Sequence, residues 1–477
     1  MRKSENKKRW IIAVSIIIFT AALYAASEPE GVPLEGIHVE SLVAQSVGME
    51  RRFQNQNLFF EDRDMEEYLD EILESLATPD ESRQFMLKVR VLRSGAVNAF
   101  ASPHGAIYVC TGLLARITSE AQAAAVLAHE LAHVISFHAP KNLVALKAHA
   151  RSKARARRKP PPAFGDWAAA GITGAALRAA VSGYNRGFER EADSIGLARM
   201  AAAGYPHGEF RGLFVTLGEY AAEKTEEPYF FSSHPRIAER LENYKLLVNA
   251  LGLADDVDCR GTGINKESVI NVDVDKVKSQ VNDIDVNIDK SKSQVNDIDV
   301  NIDKSKSQVN DIDADIDKGK SQVNDIDANI DKSKSQVNVT RKGNCKEDYI
   351  GRGYFNIKVR NVVLYDAAIN QAAGRYETVE AQLGRLLAVD SGDAAALVMR
   401  GDMERMLSPR STDAVGWYEK ALSREPDNAA ALRAAGFAYH SIGDFDNARV
   451  NLRKYCKIVP GAPDIKMVKE ALRQCGE

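Results

Sequence analysis

The stretch Ser119–Ala139, SEAQAAAVLAHELAHVISFHA, decides how the rest of the chain is read. Its alanines and the spacing of its apolar residues predict a helix, with Ser119 and Glu120 at its start. Residues four apart on a helix share a face, so His129 and His133 point the same way. Two imidazoles at that spacing can hold one Zn²⁺, and Glu130 between them can reach a water at the metal. Five matching residues also occur by accident on buried helices. The chain must therefore supply a third ligand, a cleft and a plausible compartment.

A third ligand is available in Glu189-Arg190-Glu191-Ala192-Asp193, within the Ala-rich helical stretch GFEREADSIGLARMAAAGY that Gly204 and Pro206 end. Glu189 and Asp193 are again four apart. Glu189 is the expected third zinc ligand. Asp193 is expected to accept the second ring N–H of a ligand histidine and fix its tautomer. A surface charge cluster would look the same without HELAH beside it.

HELAH with EREAD, the ExxxD form, resembles the gluzincin metallopeptidases that include HtpX and the CAAX prenyl protease. NAFASPHGAIYVCTGLL before the site, Arg186 three residues before Glu189, and SSHPRIAERL at 232–241 extend the resemblance. Together with an export signal and C-terminal repeats, the nearest type is the BepA-like periplasmic metallopeptidases. The resemblance covers roughly 35–250 and 360–475. It departs at Pro103-His104-Gly105, where the family has Pro-Gly-Gly, and in the 14-residue repeats described below.

The resemblance implies one Zn²⁺ per chain on His129, His133 and Glu189, with Glu130 as general base. It also implies that His234 reaches the metal, as a fourth ligand that keeps the enzyme latent or as an oxyanion stabiliser; a loop residue before Pro235 is the plain alternative. Arg240 is expected to pair with a site carboxylate. His138 is read as structural and His104 as a turn residue. The strand around Ala99–Val109 is expected beside the cleft, where an unfolded substrate could pair with it.

The 477 residues predict two or three domains. A net charge of −3 implies no global electrostatic partner and no nucleic acid. Five cysteines, Cys110, Cys259, Cys345, Cys456 and Cys475, form no CxxC pair, which argues against a cysteine zinc site. Cys259 and Cys345 flank the repeat segment, and a bridge between them would tie its ends together. Cys456 and Cys475 would stand about 15 Å apart on a simple helical hairpin, too far to bridge. Cys110 lies in an expected strand and should be buried.

The N-terminus, MRKSENKKRW followed by IIAVSIIIFTAALYAA, reads as a signal peptide or short anchor over 1–27. The body is then expected in the periplasm of a Gram-negative bacterium, tied to the inner membrane if that segment is not cleaved. Residues 34–255 are expected to form the metallopeptidase domain. Helices are predicted in LVAQSVGMERRFQN and DMEEYLDEILESLA, a strand in FMLKVRVLRSG, and a hairpin turning at Ser102-Pro103-His104-Gly105. A basic loop at 147–159 carries Lys147, Arg151, Lys153, Arg155, Arg157, Arg158 and Lys159. It reads as a solvated loop or as a flap for an anionic membrane surface.

Residues 256–345 hold near-identical 14-residue copies starting at Val281, Val295, Val309 and Val323. Their Asn, Asp and Ser content favours a polar, extended or disordered spacer over a coiled coil. Residues 346–477 carry units that align at a period near 34. Ala414, Tyr418, Ala421 and Pro426 in one unit, and Gly436, Tyr439, Ala448, Leu452 and Pro460 in the last, occupy tetratricopeptide-type positions, with Ala414/Ala448 and Pro426/Pro460 each 34 apart.

The expected fold is thus mainly α: an α+β gluzincin metallopeptidase domain with a small β-sheet, then an α-solenoid of tetratricopeptide repeats. The function implied is an exported zinc endopeptidase acting on misfolded or stalled envelope proteins. Its repeats would meet the outer-membrane assembly machinery. The alternative is a largely latent protease that works as a chaperone or assembly factor.

Overall fold

The computed structural model describes residues 39–142, 184, 186–222, 237–251, 253 and 352–476. The N-terminal segment 1–27, the basic loop 147–159, the 14-residue repeats, Cys259, Cys345 and His234 lie outside the described residues. The chain divides into two compact units. One comprises Met1–Cys110 and Ser119–Gly351, the other Thr111–Thr118 and Arg352–Glu477.

The first unit opens with three helices: α1 (Val39–Asn55), α2 (Arg63–Leu76) and α3 (Pro79–Gln84). Each of the latter two begins where its sequence says it should. Asp62 caps α2 by accepting from the Met65 N–H, and Thr78 with Glu81 forms a reciprocal capping box on α3. Met65, Leu69, Ile72, Leu73 and Leu76 recur at helical spacing and turn one face of α2 inward.

Strands β1 (Lys88–Leu92), β2 (Ala99–Ala101) and β3 (Ala106–Cys110) form one sheet in the order β1-β3-β2. β1 runs parallel to β3, pairing Val89 with Ile107, and β2 runs antiparallel to it, pairing Ala99 with Val109. The predicted turn joins β2 to β3. The Gly105 N–H donates to the Ser102 carbonyl at 2.9 Å, with Gly105 at φ 105°. A side chain at Gly105 would meet the Met86 nitrogen at 3.0 Å, so glycine is required for close approach as well as for φ. On the β1 side, the Phe60 N–H donates to Val91 and the Arg93 N–H to Leu58, which covers that edge. β2 forms the opposite edge. Phe53, Phe59, Phe100 and Tyr108 make an aromatic core on the sheet, with centroids 5.1–6.4 Å apart.

A short helix, α4 (Thr111–Leu114), follows β3 and belongs to the second unit. The first unit resumes with α5 (Glu120–Ile135), α6 (Arg186–Ala202), α7 (Gly208–Ala222) and α8 (Ile237–Ala250). α5 is buried from Glu120 to Val134 and packs on α2, α6, α7 and β2. No described helix is long and apolar enough to cross a membrane.

The second unit is helical: α9 (Arg352–Lys358), α10 (Arg360–Ala372), α11 (Tyr376–Val389), α12 (Ala394–Leu407), α13 (Thr412–Arg424), α14 (Ala429–Ile442), α15 (Phe445–Ile458) and α16 (Ile465–Gln474). Consecutive helices pack in pairs, and the pairs repeat one device. A side chain at Gly401 would lie 2.5 Å from the Tyr418 ring, and one at Gly436 would lie 2.5 Å from Leu452 Cδ2. In the α12/α13 and α14/α15 pairs, glycine on the first helix thus receives a large, fully buried residue from the second. Thr111–Thr118 joins this unit through polar contacts. Arg116 Nη1 donates to Asp366 at 3.1 Å, and Arg385 Nη1 donates to the Ile117 carbonyl at 2.9 Å. Cys456 and Cys475 are not bridged to each other, and Cys110 is fully buried in β3.

Candidate metal centre

Ser119 caps α5 by accepting from the Gln122 N–H, which fixes the phase of the helix and hence the face that carries His129 and His133. Their rings stand 4.7 Å apart, centroid to centroid, with the two Nε2 atoms 3.1 Å from each other. α6 packs along α5 through small residues. Ala132 and Ala192 lie in one buried cluster with Ile195, and Gly196 faces the backbone of His129. That close approach carries Glu189 to the histidines. Its Oε2 lies 3.5 Å from His129 Nε2, and its Oε1 lies 3.7 Å from His133 Nε2.

Among the described residues these three form a group of ligand type whose donor atoms converge. A tetrahedral zinc, with bonds of about 2.0–2.1 Å, holds its donors about 3.3–3.4 Å apart. Separations of 3.1, 3.5 and 3.7 Å bracket that value. Charge makes the same point. Glu130, Glu189 and Asp193 are 0%, 3% and 2% exposed, and the buried cation among them is Arg240. With both imidazoles neutral, as metal ligands must be, three carboxylates against one guanidinium leave two formal negative charges in a dry site, which a divalent cation would offset. The residues therefore fit a bound zinc, with two imidazoles, one carboxylate and room in the set for a fourth ligand.

The surroundings orient the donors. Asp193 Oδ1 lies 2.9 Å from His129 Nδ1. Arg240, from α8, grips Asp193 with Nε to Oδ2 at 2.9 Å and Nη2 to Oδ1 at 2.5 Å. Its Nη2 also comes within 3.2 Å of His129 Nδ1. A nitrogen that donates to Asp193 cannot also accept from a guanidinium, so the contact with Asp193 is the hydrogen bond. Arg240 Nη1 stands 3.8 Å from Glu189, and the guanidinium lies 4.4 Å from the centre of the Phe214 ring.

Burial and Arg240 both disfavour a charged His129, yet hydrogen bonds to Asp193 and Glu189 outweigh them and raise its pKa to about 9. Burial raises Asp193, but Arg240 and His129 hold it below its ordinary value. The field at the site favours positive charge.

His138, read from the sequence as structural, reaches the centre. Its Nδ1 is 2.8 Å from His133 Nδ1 and its Nε2 is 3.2 Å from Glu191 Oε2. Burial lowers its pKa against the pull of Glu191, which keeps the ring neutral. Tyr184 stacks on His133 with centroids 4.0 Å apart. Neither residue carries a sequence signal at a fixed spacing from HELAH. Gly196 had one, a glycine inside a helical pattern. His104 sits at its expected turn but is 4% exposed, with Ser102 Oγ 2.6 Å from Nδ1 and Glu50 3.2 Å from Nε2.

Residues 61–247 match the family model described as Peptidase family M48. The chain is 27% identical over 208 residues to a Vibrio cholerae protein named "Putative beta-barrel assembly-enhancing protease", covering 40% of each chain. It is 28% identical over 180 residues to the mitochondrial metalloendopeptidase OMA1 of Arabidopsis thaliana, covering 37% of this chain and 35% of that one. The OMA1 metalloendopeptidase of Bos taurus is 27% identical over 183 residues, covering 36% and 34%. The chain thus spans about two fifths or less of the length of these relatives. The matched segment, residues 61–247, contains α5, α6 and Arg240, so the similarity to peptidase family M48 falls on the candidate metal centre.

Proposed function

We propose that the protein is a zinc-dependent endopeptidase of the bacterial envelope that cleaves misfolded or stalled proteins. One observation carries this reading: the convergence of His129 Nε2, His133 Nε2 and a Glu189 carboxylate at separations of 3.1–3.7 Å beside the buried Glu130. His129, His133 and Glu189 hold the metal. When bound, zinc supplies an electrophile that polarises the scissile carbonyl and acidifies water. Glu130 takes the proton of the attacking water at its carboxylate and returns it to the leaving amine. Asp193 and Arg240 hold His129 in one tautomer. His234, on the segment before α8, is assigned to the fourth position or to the developing oxyanion.

β2 forms a sheet edge and packs against α5, so a substrate strand added there runs beside the site. Recognition through backbone hydrogen bonds suits unfolded chains of varied sequence. The paired helices of 352–476 are read as tetratricopeptide repeats that engage the outer-membrane assembly machinery. The name of the Vibrio cholerae relative supports that partner. Residues 1–27 would export or anchor the chain, and the basic loop 147–159 would meet the membrane surface. The domain limits 34–255, 256–345 and 346–477 remain the working division, with 111–118 grouped with the repeats.

The same relative's name favours a second reading, in which assembly is the main task and the protease is mostly latent. Glu130→Gln separates the two. Loss of casein cleavage together with loss of outer-membrane assembly supports the first reading. Loss of cleavage with assembly intact supports the second. Undiminished cleavage by the variant contradicts Glu130 as the base.

A further inference from the structure

The two ligand imidazoles of α5 are braced differently. The far nitrogen of His129 meets the Asp193 carboxylate, whereas the far nitrogen of His133 meets a third histidine, His138, at 2.8 Å. We propose that His138, held by Glu191, is the positioning residue for His133, so that the second histidine of HELAH is aligned by a His–Glu pair. This rests on the metal-centre reading above.

The proton bookkeeping is determined. With His133 Nε2 turned toward Glu189 and the metal position, its Nδ1 carries the hydrogen. That hydrogen is donated to His138 Nδ1, which must therefore be bare. His138 then carries its own hydrogen on Nε2, and Glu191 Oε2 accepts it at 3.2 Å. A carboxylate at the end of such a chain makes the ligand nitrogen more basic and restrains ring rotation.

The backbone is shaped for this contact. On a continuous helix His138 would lie about 140° around from His133 and out of reach. Instead α5 stops at Ile135, Ser136 closes it, and Phe137 takes φ 55°. A bulky residue in the left-handed region is costly and persists only where the surroundings enforce it. Here Phe137 is buried against Phe85, with ring centroids 5.7 Å apart. The reversal brings His138, fully buried, back over His133, where Phe188 stacks on it with centroids 4.5 Å apart. Glu189 and Glu191, two residues apart on α6, reach opposite ends of this assembly.

The test uses the full chain stripped of metal. Zinc affinity is measured by competition with a chromophoric chelator, and the visible spectrum is recorded after Co²⁺ loading. His138→Phe is expected to weaken zinc binding about 10–100-fold and to shift the Co²⁺ bands. His138→Asn, whose amide oxygen replaces the accepting nitrogen, recovers most of that loss, and Glu191→Gln weakens binding several-fold. A purely structural role would lower the melting temperature without moving the cobalt spectrum. The proposal is overturned if folded His138→Phe binds zinc within twofold of wild type with an unchanged spectrum. If that variant does not fold, His138→Asn and Glu191→Gln decide: wild-type behaviour in Glu191→Gln overturns it. A wild type that binds no zinc overturns both this role and the metal-centre reading, whereas wild-type affinity in His138→Phe removes only the role.

Discussion

Asp193 Oδ1 stands 2.9 Å from His129 Nδ1, across the ring from the Nε2 that faces Glu189. One helix therefore supplies, four residues apart, both the third candidate metal ligand and the group that orients the ring. Asp193→Asn keeps the shape but removes the charge that stabilises the Nδ1–H tautomer. Zinc affinity should fall about 10–100-fold, read by chelator competition. Unchanged affinity would show that Arg240 and packing alone hold His129.

Gly196 sets how closely α6 can approach α5. A Cβ there would meet the His129 nitrogen at 3.1 Å and the Ala128 carbonyl carbon and His129 Cα at 3.2 Å, all backbone atoms that cannot step aside. Gly196→Ala should push Glu189 away from the histidines. The expected cost is about 1–3 kcal/mol in urea unfolding, with weaker zinc binding in the same variant. A neutral substitution would mean that the helices slide freely.

How much of this was legible in the sequence depends on the reach of each signal. HELAH and EREAD carry their geometry in a spacing of four residues, so helix periodicity showed that His129 and His133 share one face and Glu189 and Asp193 another, while the meeting of the two faces rests on the packing of α6 along α5. Arg240 followed only from resemblance, because 47 residues of chain separate it from Asp193. The contact of His138 with His133 was not legible, because it depends on the left-handed turn at Phe137, which no local residue type announces. The small sheet and its hairpin were readable from alternation and from Ser102–Gly105. The grouping of Thr111–Thr118 with the second unit was not, since it rests on Arg116 and Arg385 meeting partners hundreds of positions apart.

Asp366 holds that grouping. Its Oδ2 accepts from Arg116 at 3.1 Å, Asn370 at 2.7 Å and Gln382 at 2.8 Å, and it is 1% exposed. Cations crowd the spot: burial and the neighbouring Arg116 push Arg385 down to about 10. Asp366→Asn leaves Arg116 charged and unbalanced. The second unit should lose about 3 kcal/mol, visible in thermal unfolding followed at its helices. A loss below about 0.5 kcal/mol, the size of an exposed pair, would contradict this.

Glu50 gives the pH dependence a sign. Burial disfavours its carboxylate, but hydrogen bonds from His104 and Lys88 outweigh that and lower its pKa from 4.5 to about 2. A folded-state value below the unfolded one stabilises the protein fully above pH 4.5, and that contribution drains away as the pH falls toward 2. Glu50→Gln should be about 1–2 kcal/mol less stable than wild type at pH 7. The gap should close between pH 4.5 and 2, measured by urea unfolding at several pH values. A gap independent of pH would assign the loss to packing instead.

The central claim is that His129, His133 and Glu189 hold one zinc ion. Elemental analysis of the purified full chain beside His133→Ala tests it most directly. The account predicts about one equivalent of zinc in wild type and a loss of most of it in the variant, with both proteins folded. A folded wild type without zinc, or a His133→Ala variant that retains it, would contradict the account.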